Sequence, residues 1–316
     1  MKSSQGQSLV QKLTNSADVF LDPFRPGVME RLNVGPEKLC ASNDKLIYAR
    51  LTGFGQTGPM STLAGHDINY IAQSGVLSSL VDSTGKPTPP INLVADFAGG
   101  GLLLSNGIMA ALIERSISGQ GQVLDLSMSE GSAYASSFLW QMRGMLFTDQ
   151  PGQNMLDGGA PFYGCYATAD NRWMAVGSIE PQFYAELVRL SGIDVELSDQ
   201  QNQETWPELK NKLTAVFKTK TMAEWTSIFG PTDACVTPVL TFDEAQDDAH
   251  NKERSLFFET DNGSVVPNSV PKFSRSGNAE LTERPDVGAD TRDILSELDL
   301  TGNEIDELIE VGAVSE

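Results

Sequence analysis

The stretch KLIYARLTGFGQTGP, residues 45–59, decides the fold. Its first seven residues predict an apolar strand, and the glycines that follow predict a loop. Upstream lie a second short apolar run, DVFL at residues 18–21, and a predicted helix near residues 27–32. Strand, helix and strand in this order are typical of parallel strands in an α/β layer. The sequence therefore predicts an α/β fold with a parallel sheet.

A polar, glycine-rich stretch at residues 148–159, TDQPGQNMLDGG, divides the chain. Before it, residues 99–116 are apolar on nearly all sides and predict a buried helix. After it, two aromatic and β-branched runs flank Asp170 and Asn171 and predict a hairpin. Apolar spacing predicts further helices at residues 5–14, 67–80, 130–145, 181–190, 206–217 and 222–229. We expect a large domain at residues 1–147, a linker at 148–160, a small domain at 161–250 and a return to the large domain at 251–316.

The composition excludes several classes of protein. A net charge of −20 argues against nucleic acid or an anionic membrane as a main partner, because phosphates attract a basic surface. Cys40, Cys165 and Cys235 have no CxxC spacing, so neither a disulfide scaffold nor a zinc site is expected. No apolar run reaches the roughly 20 residues of a membrane span. We expect a soluble intracellular protein of the cytoplasm, the peroxisome or the mitochondrion.

The stretch NLVADFAGGG, residues 92–101, places an aspartate before a predicted helix. Asp96 follows an apolar run, and three glycines beginning at Gly99 lead into the helix. Backbone N–H groups at a helix start favour negative charge, and glycines let a ligand approach the backbone. The alternative is an ordinary capping aspartate followed by glycines that permit tight helix packing. Spacing alone leaves both interpretations open.

Three other segments contain candidate side chains, each with a structural alternative. His66, one of two histidines, precedes Asp67 at a predicted helix start, where it is a proton carrier or a packed ring. Glu180 precedes a proline, a position that suits a functional carboxylate or simply the first turn of a helix. Arg25 and Arg31 belong to one short segment of an acidic chain, where they hold phosphates or form salt bridges.

Together these segments resemble the family III CoA-transferases, and most closely their α-methylacyl-CoA racemase branch. The stretches that carry the resemblance are FRPGVMERL, IYARLTGFGQTGP, GHDINYIAQSG, NLVADFAGGG, GQVLDLSMSEG, QNMLDGGAPFY, GSIEPQFY, DACVTPVL and PKFSRS. No single motif is decisive, but their joint order is. The resemblance implies a Rossmann-like large domain built from both chain ends, a smaller α+β domain and an interlocked homodimer.

The resemblance also implies roles for residues. In the racemases, the histidine matching His66 and the aspartate matching Asp96 act as acid and base, and the glutamate matching Glu180 completes the site across the subunit interface. In the transferases the matching aspartate is a covalent nucleophile, and the position of His66 is usually not histidine. The residues implied to bind CoA or substrate are Arg25, Arg31, Gly65, Asp67, Ile68, Asn69, Tyr70 and Gly99.

The chemistry explains the residue types. Inverting a carbon next to a thioester requires removal of one proton and return of another from the opposite face, so two groups must flank that carbon. The enolate oxygen must be held by preformed dipoles, which the helix start at residues 96–99 is expected to supply. We expect neither a metal nor a redox cofactor, since CoA is part of the acyl-CoA thioester substrate.

The resemblance also implies a difference from the family pattern. Family members normally begin with a strand–helix–strand segment that precedes the first helix of this chain, so an exposed sheet edge and apolar surface are expected. Three functions remain open: a racemase of 2-methylacyl-CoA thioesters, a CoA-transferase with Asp96 as nucleophile, and a non-catalytic CoA-binding protein. His66 favours the first.

Overall fold

The structure, a computed structural model, describes residues 3–278 and 285–316, which form two compact units. The first unit contains the residues up to Asp157 together with Val287–Glu316, and the second is Gly158–Asp286. The second unit continues well past residue 250, where the predicted small domain ends. The assignment of binding roles to the predicted domains stays a prediction.

The helices and strands follow one another with short connections. The α-helices are α1 (Ser4–Thr14), α2 (Val28–Arg31), α3 (Pro36–Ser42), α4 (Asp67–Gln73), α5 (Leu103–Ser118), α6 (Met128–Ala135), α7 (Ser137–Gln141), α8 (Pro181–Ser191), α9 (Trp206–Phe217), α10 (Met222–Phe229), α11 (Phe242–Asp247), α12 (Ala249–Glu253), α13 (Thr291–Ser296) and α14 (Gly302–Glu310). The strands are β1 (Val19–Asp22), β2 (Ile47–Thr52), β3 (Val123–Ser127), β4 (Tyr163–Ala167), β5 (Trp173–Gly177), β6 (Val236–Pro238), β7 (Phe257–Glu259) and β8 (Val265–Pro267). A π-helical segment (Leu93–Leu102) leads into α5, and 3-10 turns lie at Val76–Ser79 and Leu197–Gln201.

The first unit contains a three-stranded parallel sheet in the order β1–β2–β3. Tyr48 on the middle strand lies opposite Phe20 on β1 and Val123 on β3. Nearly every residue of β2 is buried, as expected for a strand inside a parallel sheet. The predicted α/β fold with a parallel sheet is confirmed.

Both ends of the chain contribute to the first unit. Leu9 on α1 forms a buried apolar cluster with Leu295 on α13 and Ile305 on α14. A neighbouring cluster places Leu39 of α3 against Tyr48 of β2. The helices nearest the two termini therefore share one core with each other.

The second unit is built on an antiparallel sheet in the order β4–β5–β6. Tyr163 lies opposite Gly177, and Asn171 in the connecting turn has a positive φ of 58°. The predicted hairpin is confirmed. Aromatic side chains fill the core of this unit, where the rings of Phe217 and Trp225 have centroids 5.2 Å apart and both residues are buried.

The long apolar helix differs from its prediction. The sequence predicts a buried helix over residues 99–116, but the helix begins earlier, as a π-helical segment, and continues as α5. Within α5 only Leu104 and Ala111 are buried, whereas Ile113 and Ile117 are 65% and 84% exposed. One face of α5 contacts β2 and β3, and the exposed isoleucines lie on the part of the helix away from these strands. The prediction of full burial is therefore wrong.

This helical stretch also corrects an expectation about length. Among the described residues, Leu93–Ser118 forms one helix of 26 residues that is long and apolar enough to cross a membrane. The expectation that no apolar stretch reaches that length is therefore wrong. A single such helix is weak support for a membrane segment, because core helices of globular proteins meet the same test. That the protein does not insert into membranes stays a prediction.

Two predicted helices are interrupted. The helix predicted over residues 67–80 ends at Gln73, because Gly75 has a left-handed φ of 83° and begins a 3-10 turn. The helix predicted over residues 130–145 is replaced by α6 and α7. Ser136 between them has φ −98° and ψ 14°, outside the helical conformation. Both breaks lie beside the elements that carry the candidate site.

Candidate active site

His66 lies directly before helix α4, as the sequence predicts. Its backbone is extended, with φ −134°, and its side chain is in an exposed position. The side-chain oxygen of Asn69 accepts a hydrogen bond of 3.1 Å from the His66 backbone N–H, which anchors this helix start. Because His66 is exposed, it is not a packed ring, and its role as a proton carrier stays a prediction.

Asp96 lies in the first turn of the π-helical segment and is half-buried. The Nδ2 of Asn92, the residue before this segment, donates a 2.9 Å hydrogen bond to Asp96 Oδ2. Ile91 and Asn92 have positive φ angles of 53° and 58°, a conformation that strains a β-branched residue. Strained backbone and π-helical turns both occur preferentially at functional sites. The backbone around Asp96 therefore marks a candidate site.

A single carboxylate joins these two helix starts. Asp67, the first residue of α4, is 1% exposed, and its Oδ2 accepts hydrogen bonds from the backbone N–H groups of Ala95, at 2.7 Å, and Asp96, at 2.9 Å. Asp67 is covalently next to His66 and hydrogen-bonded to the backbone of Asp96. The structure therefore brings the predicted histidine and the predicted aspartate together.

These bonds correct one detail of the predicted site. The sequence assigns the N–H groups at residues 96–99 to an enolate oxygen, but the Asp96 N–H already donates to Asp67. Asp67 as a whole residue is only 1% exposed, so the structure does not support the expected contact of this residue with CoA. The positive end of the helix is thus occupied by a carboxylate of the protein itself.

Gly99 lies where two helices touch. A Cβ atom at this position would be 2.5 Å from the backbone nitrogen of Ser132 on α6, closer than real Cβ contacts allow. Glycine is therefore required here by close packing of the π-helical segment against α6. This matches the tight-packing alternative, and the structure does not support the expected contact of Gly99 with substrate.

Neighbouring groups shift the pKa of Asp96 in opposite directions. Burial raises the pKa of the Asp96 carboxyl, and the negative charge of Asp67 raises it further. The hydrogen bond from Asn92 and the positive charge of His66 lower it, but the net shift is upward. Since His66 acts electrostatically on Asp96, the two candidate proton carriers share one environment.

Tyr70 holds the glycine-rich loop against α4. Its hydroxyl donates a 2.5 Å hydrogen bond to the carbonyl oxygen of Gly65, and its ring meets Phe54 edge-on at 5.0 Å. A Cβ atom at Gly53 would lie 2.2 Å from this ring, so only glycine fits there. Burial and then the negative charge of Asp96 raise the pKa of Tyr70. Tyr70 therefore belongs to the same site, packed behind its surface.

The other residues expected to bind CoA are exposed in the first unit: Arg25, Arg31, Ile68 and Asn69. Neither arginine forms an ion pair within 4.0 Å in the part of the chain that the structure describes, so the salt-bridge alternative is not observed. Although the pKa of Tyr70 is raised overall, the positive charge of Arg25 acts to lower it. This guanidinium therefore lies near α4. Their binding of CoA stays a prediction.

Glu180 lies in the second unit, directly before helix α8. It is exposed, and within the described residues its side chain makes no capping bond to that helix. Its negative charge contributes, after burial, to a raised pKa of the Cys235 thiol. Membership of Glu180 in one site with His66 and Asp96 stays a prediction.

Sequence reasoning missed two polar features. Arg50 on β2 is buried, and pairs with Asp22, with Nε 3.2 Å from Oδ2, and with Glu30, with Nη1 2.8 Å from Oε1. The apolar pattern of the strand gave no signal for this pair of contacts. Asn92 was also missed, although its spacing of four residues before Asp96 is typical of side chains on one helix face.

Metal binding has no visible support. Among the described residues there is no group of three or more His, Cys, Asp or Glu side chains that could hold an ion. The expectation that the reaction needs no metal or cofactor stays a prediction.

A parallel α/β unit with a histidine and an aspartate at adjoining helix starts is the arrangement expected of an α/β enzyme of acid–base or nucleophilic chemistry. Within that class, the chain belongs to CoA-transferase family III, whose sequence profile matches residues 1–291. The predicted family is confirmed.

Two relatives and one crystal structure show which proteins within the family this chain is similar to. The chain is 53% identical over 308 residues to "Alpha-methylacyl-CoA racemase" of Mus musculus, covering 96% of this chain and 81% of the relative. It is 50% identical over 311 residues to the protein of the same name from Homo sapiens, covering 98% and 81%. A CaiB/BaiF family crystal structure from Brucella suis has a TM-score of 0.77 at 22% identity, covering 94% of this chain and 80% of that one. The structure supports the fold, and the relatives confirm the predicted resemblance to the racemase branch.

Proposed function

We propose that this protein is a racemase that inverts the α-carbon of 2-methylacyl-CoA thioesters. The observation that carries the proposal is the meeting of His66 and Asp96 at two helix starts that Asp67 joins. The names of the mouse and human relatives support the same reaction. We further propose a soluble intracellular homodimer that uses no cofactor.

The reaction begins with loss of the α-proton. Either His66 or Asp96 takes this proton, and the electron pair of the broken C–H bond moves into the thioester carbonyl to give an enolate. The other group then donates a proton to the opposite face of the carbon, which inverts it. The protonation states of both groups are restored by exchange with solvent. Each positioned proton carrier contributes typically ~10²–10⁴ in rate.

The environment of Asp96 suits this role. A proton carrier works best when its pKa lies near the working pH, and an ordinary aspartate is too weak a base. Burial and the Asp67 charge raise the pKa of Asp96, which moves the carboxylate toward that range. The same raised pKa predicts that turnover in the direction needing ionised Asp96 falls as the pH drops through its pKa.

The remaining binding roles follow the resemblance. We propose that Glu180 completes the site from a partner subunit, since it is exposed and free of a capping role in the described chain. We propose that the exposed side chains of Arg25, Arg31, Ile68 and Asn69 contact CoA. Gly65 contributes backbone to the same surface, and Tyr70 holds that backbone in place from behind.

Deuterium exchange tests the proposal directly. One epimer of a 2-methylacyl-CoA thioester is incubated with the protein in D2O, and Cα is followed by NMR while the configuration is followed by chiral chromatography. We expect deuterium to enter at Cα as the substrate inverts. His66→Ala should lower the rate by about 10²-fold or more, because one proton carrier is lost.

The chain offers a matched control for this variant. His250 is the other histidine, and it lies on α12 in an exposed position of the second unit. His250→Ala should therefore exchange deuterium at the rate of the unchanged protein. Equal exchange by His66→Ala and the unchanged protein would contradict the proposal. Tight CoA binding with no exchange at all would favour the non-catalytic alternative.

The family description favours a second candidate, a CoA-transferase. In that reaction the half-exposed carboxylate of Asp96 attacks the thioester carbonyl, CoA leaves as the thiolate, and an acyl anhydride forms on Asp96. Movement of CoA to an added free acid, with an adduct trapped on Asp96, would support this candidate. CoA transfer with no α-deuterium would decide against the racemase.

A further inference from the structure

The buried carboxylate of Asp67 is not one of the proton carriers, yet it has the most constrained position in the site. Only 1% of the residue is exposed, and Oδ2 receives two backbone hydrogen bonds of 2.7 Å and 2.9 Å. Among the described residues, Oδ1 is buried without a hydrogen-bond partner. A buried carboxylate with an unpartnered oxygen is unfavourable for stability, so a role beyond stability is indicated.

The two bonds fix the geometry between two separate elements. The donors, Ala95 and Asp96, belong to the start of the π-helical segment, where backbone N–H groups have no partners within the helix. The acceptor belongs to the first residue of α4, one peptide bond from His66. No other side-chain hydrogen bond found in the described ranges joins α4 to that segment.

The backbone before Asp96 needs such a restraint. Ile91 and Asn92 hold successive left-handed conformations, and a β-branched residue persists there only where its surroundings fix it. If the bonds from Asp67 were lost, these two residues could relax, and the start of the π-helical segment could move relative to α4.

We propose that Asp67 is a positioning residue of the racemase site, whose buried carboxylate fixes the distance and direction of Asp96 relative to His66. This inference rests on the proposed function. The two proton carriers must reach the α-carbon from opposite faces. Displacement of either group by about 1 Å is enough to lower the rate about 10²-fold. Asp67 thus controls inversion without touching the reacting atoms.

The charge of Asp67 adds a second effect. The groups that face Asp96 are Asp67 and His66 from the start of α4, Asn92 directly before the π-helical segment, and the Tyr70 hydroxyl, near which Arg25 lies. Asp67→Asn keeps an oxygen for both backbone hydrogen bonds but removes the negative charge. The pKa of Asp96 should then fall, and the acidic limb of the pH–rate profile should move to lower pH.

The ratio of inversion to deuterium uptake distinguishes positioning from a merely structural role. In D2O, a site with both carriers in place inverts the carbon in step with deuterium uptake, whereas a misaligned site takes up deuterium with retention of configuration. We expect Asp67→Ala to lower the ratio of inversion to uptake about tenfold and kcat about 10²-fold, with a smaller change in KM. Amide hydrogen exchange at Ala95 and Asp96 should accelerate in the same variant.

Asp157→Ala is the matched control. Asp157 also accepts hydrogen bonds from two backbone N–H groups, those of Gly152 at 2.8 Å and Asn154 at 2.7 Å, and it is not one of the predicted site residues. This variant should lose thermal stability and keep the unchanged ratio of inversion to uptake. All rates are normalised to the folded fraction measured by circular dichroism.

The outcomes separate the two proposals. An unchanged inversion-to-uptake ratio in Asp67→Ala would overturn the positioning role while leaving the racemase intact. An unmoved acidic limb in Asp67→Asn would overturn the effect of the Asp67 charge on Asp96. Absence of deuterium uptake by the unchanged protein would contradict the racemase, and with it this inference. A lowered ratio in Asp67→Ala with rescue of inversion in Asp67→Asn would support the role as proposed.

Discussion

The two proposed proton carriers stand at two helix starts that are built in different ways. His66 has an ordinary extended backbone, and Asn69, three residues later, accepts a hydrogen bond from its N–H. Asp96 lies inside a π-helical turn that follows two left-handed residues and is held by the distant Asp67. The first start is determined by neighbouring residues in sequence, and the second by a tertiary contact.

The difference indicates which half of the site is preformed locally. A helix start with local hydrogen bonds forms as soon as its helix does. The start at Asp96 combines strained backbone with a buried carboxylate, both of which are unfavourable unless the surrounding unit is folded. We therefore expect changes around Asp96 to affect both activity and stability, whereas changes at His66 affect mainly activity.

The largest effect is expected for Asp96→Asn. The amide has nearly the same shape but cannot take a proton, so inversion should fall by about 10²–10⁴-fold. Burial and the Asp67 charge raise the pKa of Asp96, so the folded state binds the proton more tightly than the unfolded state does. Between the ordinary and the raised pKa, stability therefore falls as the pH rises, and this loss persists at higher pH.

Thermal unfolding checks this linkage. Asp96→Asn should melt at or above the temperature of the unchanged protein at neutral pH, and the difference should shrink as the pH falls below the ordinary aspartate pKa. An Asn variant that melts well below the unchanged protein at neutral pH would contradict the raised pKa of Asp96.

Gly99→Ala tests the packing behind Asp96 and should have the next largest effect. The added methyl would lie 2.5 Å from the backbone nitrogen of Ser132, and backbone on α6 cannot move aside as a flexible side chain can. We expect a loss of about 1–3 kcal/mol in the free energy of unfolding, measured by urea denaturation.

The control for Gly99→Ala lies two residues away. A Cβ atom at Gly101 would meet nothing nearer than the Asp96 carbonyl oxygen at 3.8 Å, which is ordinary contact. Gly101→Ala should therefore stabilise the protein by about 0.5–1 kcal/mol, as alanine does in exposed helical positions. Equal effects of the two substitutions would show that helix propensity, and not packing against α6, determines stability here.

The same contrast explains what the sequence could predict. The parallel sheet, the hairpin and the start of α4 depend on local pattern and turn residues, and these predictions are confirmed by the strand pairing and helix bounds. The helix start near Asp96 was also predicted, from the glycines after it. Its π-helical form, and the bonds from Asp67 that occupy its N–H groups, depend on a contact across 29 residues.

Burial was less predictable than secondary structure. Hydrophobic residues all round α5 predict full burial, but burial depends on what packs against each face, and Ile117 is 84% exposed. Arg50 shows the opposite case, since a strand sequence does not reveal that Asp22 and Glu30 will surround a buried guanidinium. The sequence indicated the types of groups in the site, whereas their partners depend on tertiary contacts.

The smallest effect is expected at the strained entry to the π-helical segment. Ile91 has φ 53° and is 85% exposed, so its side chain contributes little burial while its backbone conformation is unfavourable for a β-branched residue. Ile91→Asn should stabilise the protein by about 0.5–1 kcal/mol, because asparagine tolerates the left-handed region. Ile117 is an equally exposed isoleucine of α5. Ile117→Asn should instead destabilise the protein by roughly a few tenths of a kcal/mol, because asparagine is a weaker helix former. Urea denaturation of both variants distinguishes the two cases: a loss of stability in Ile91→Asn would mean that the Ile91 side chain makes a favourable contact, and that the entry to Asp96 is not strained.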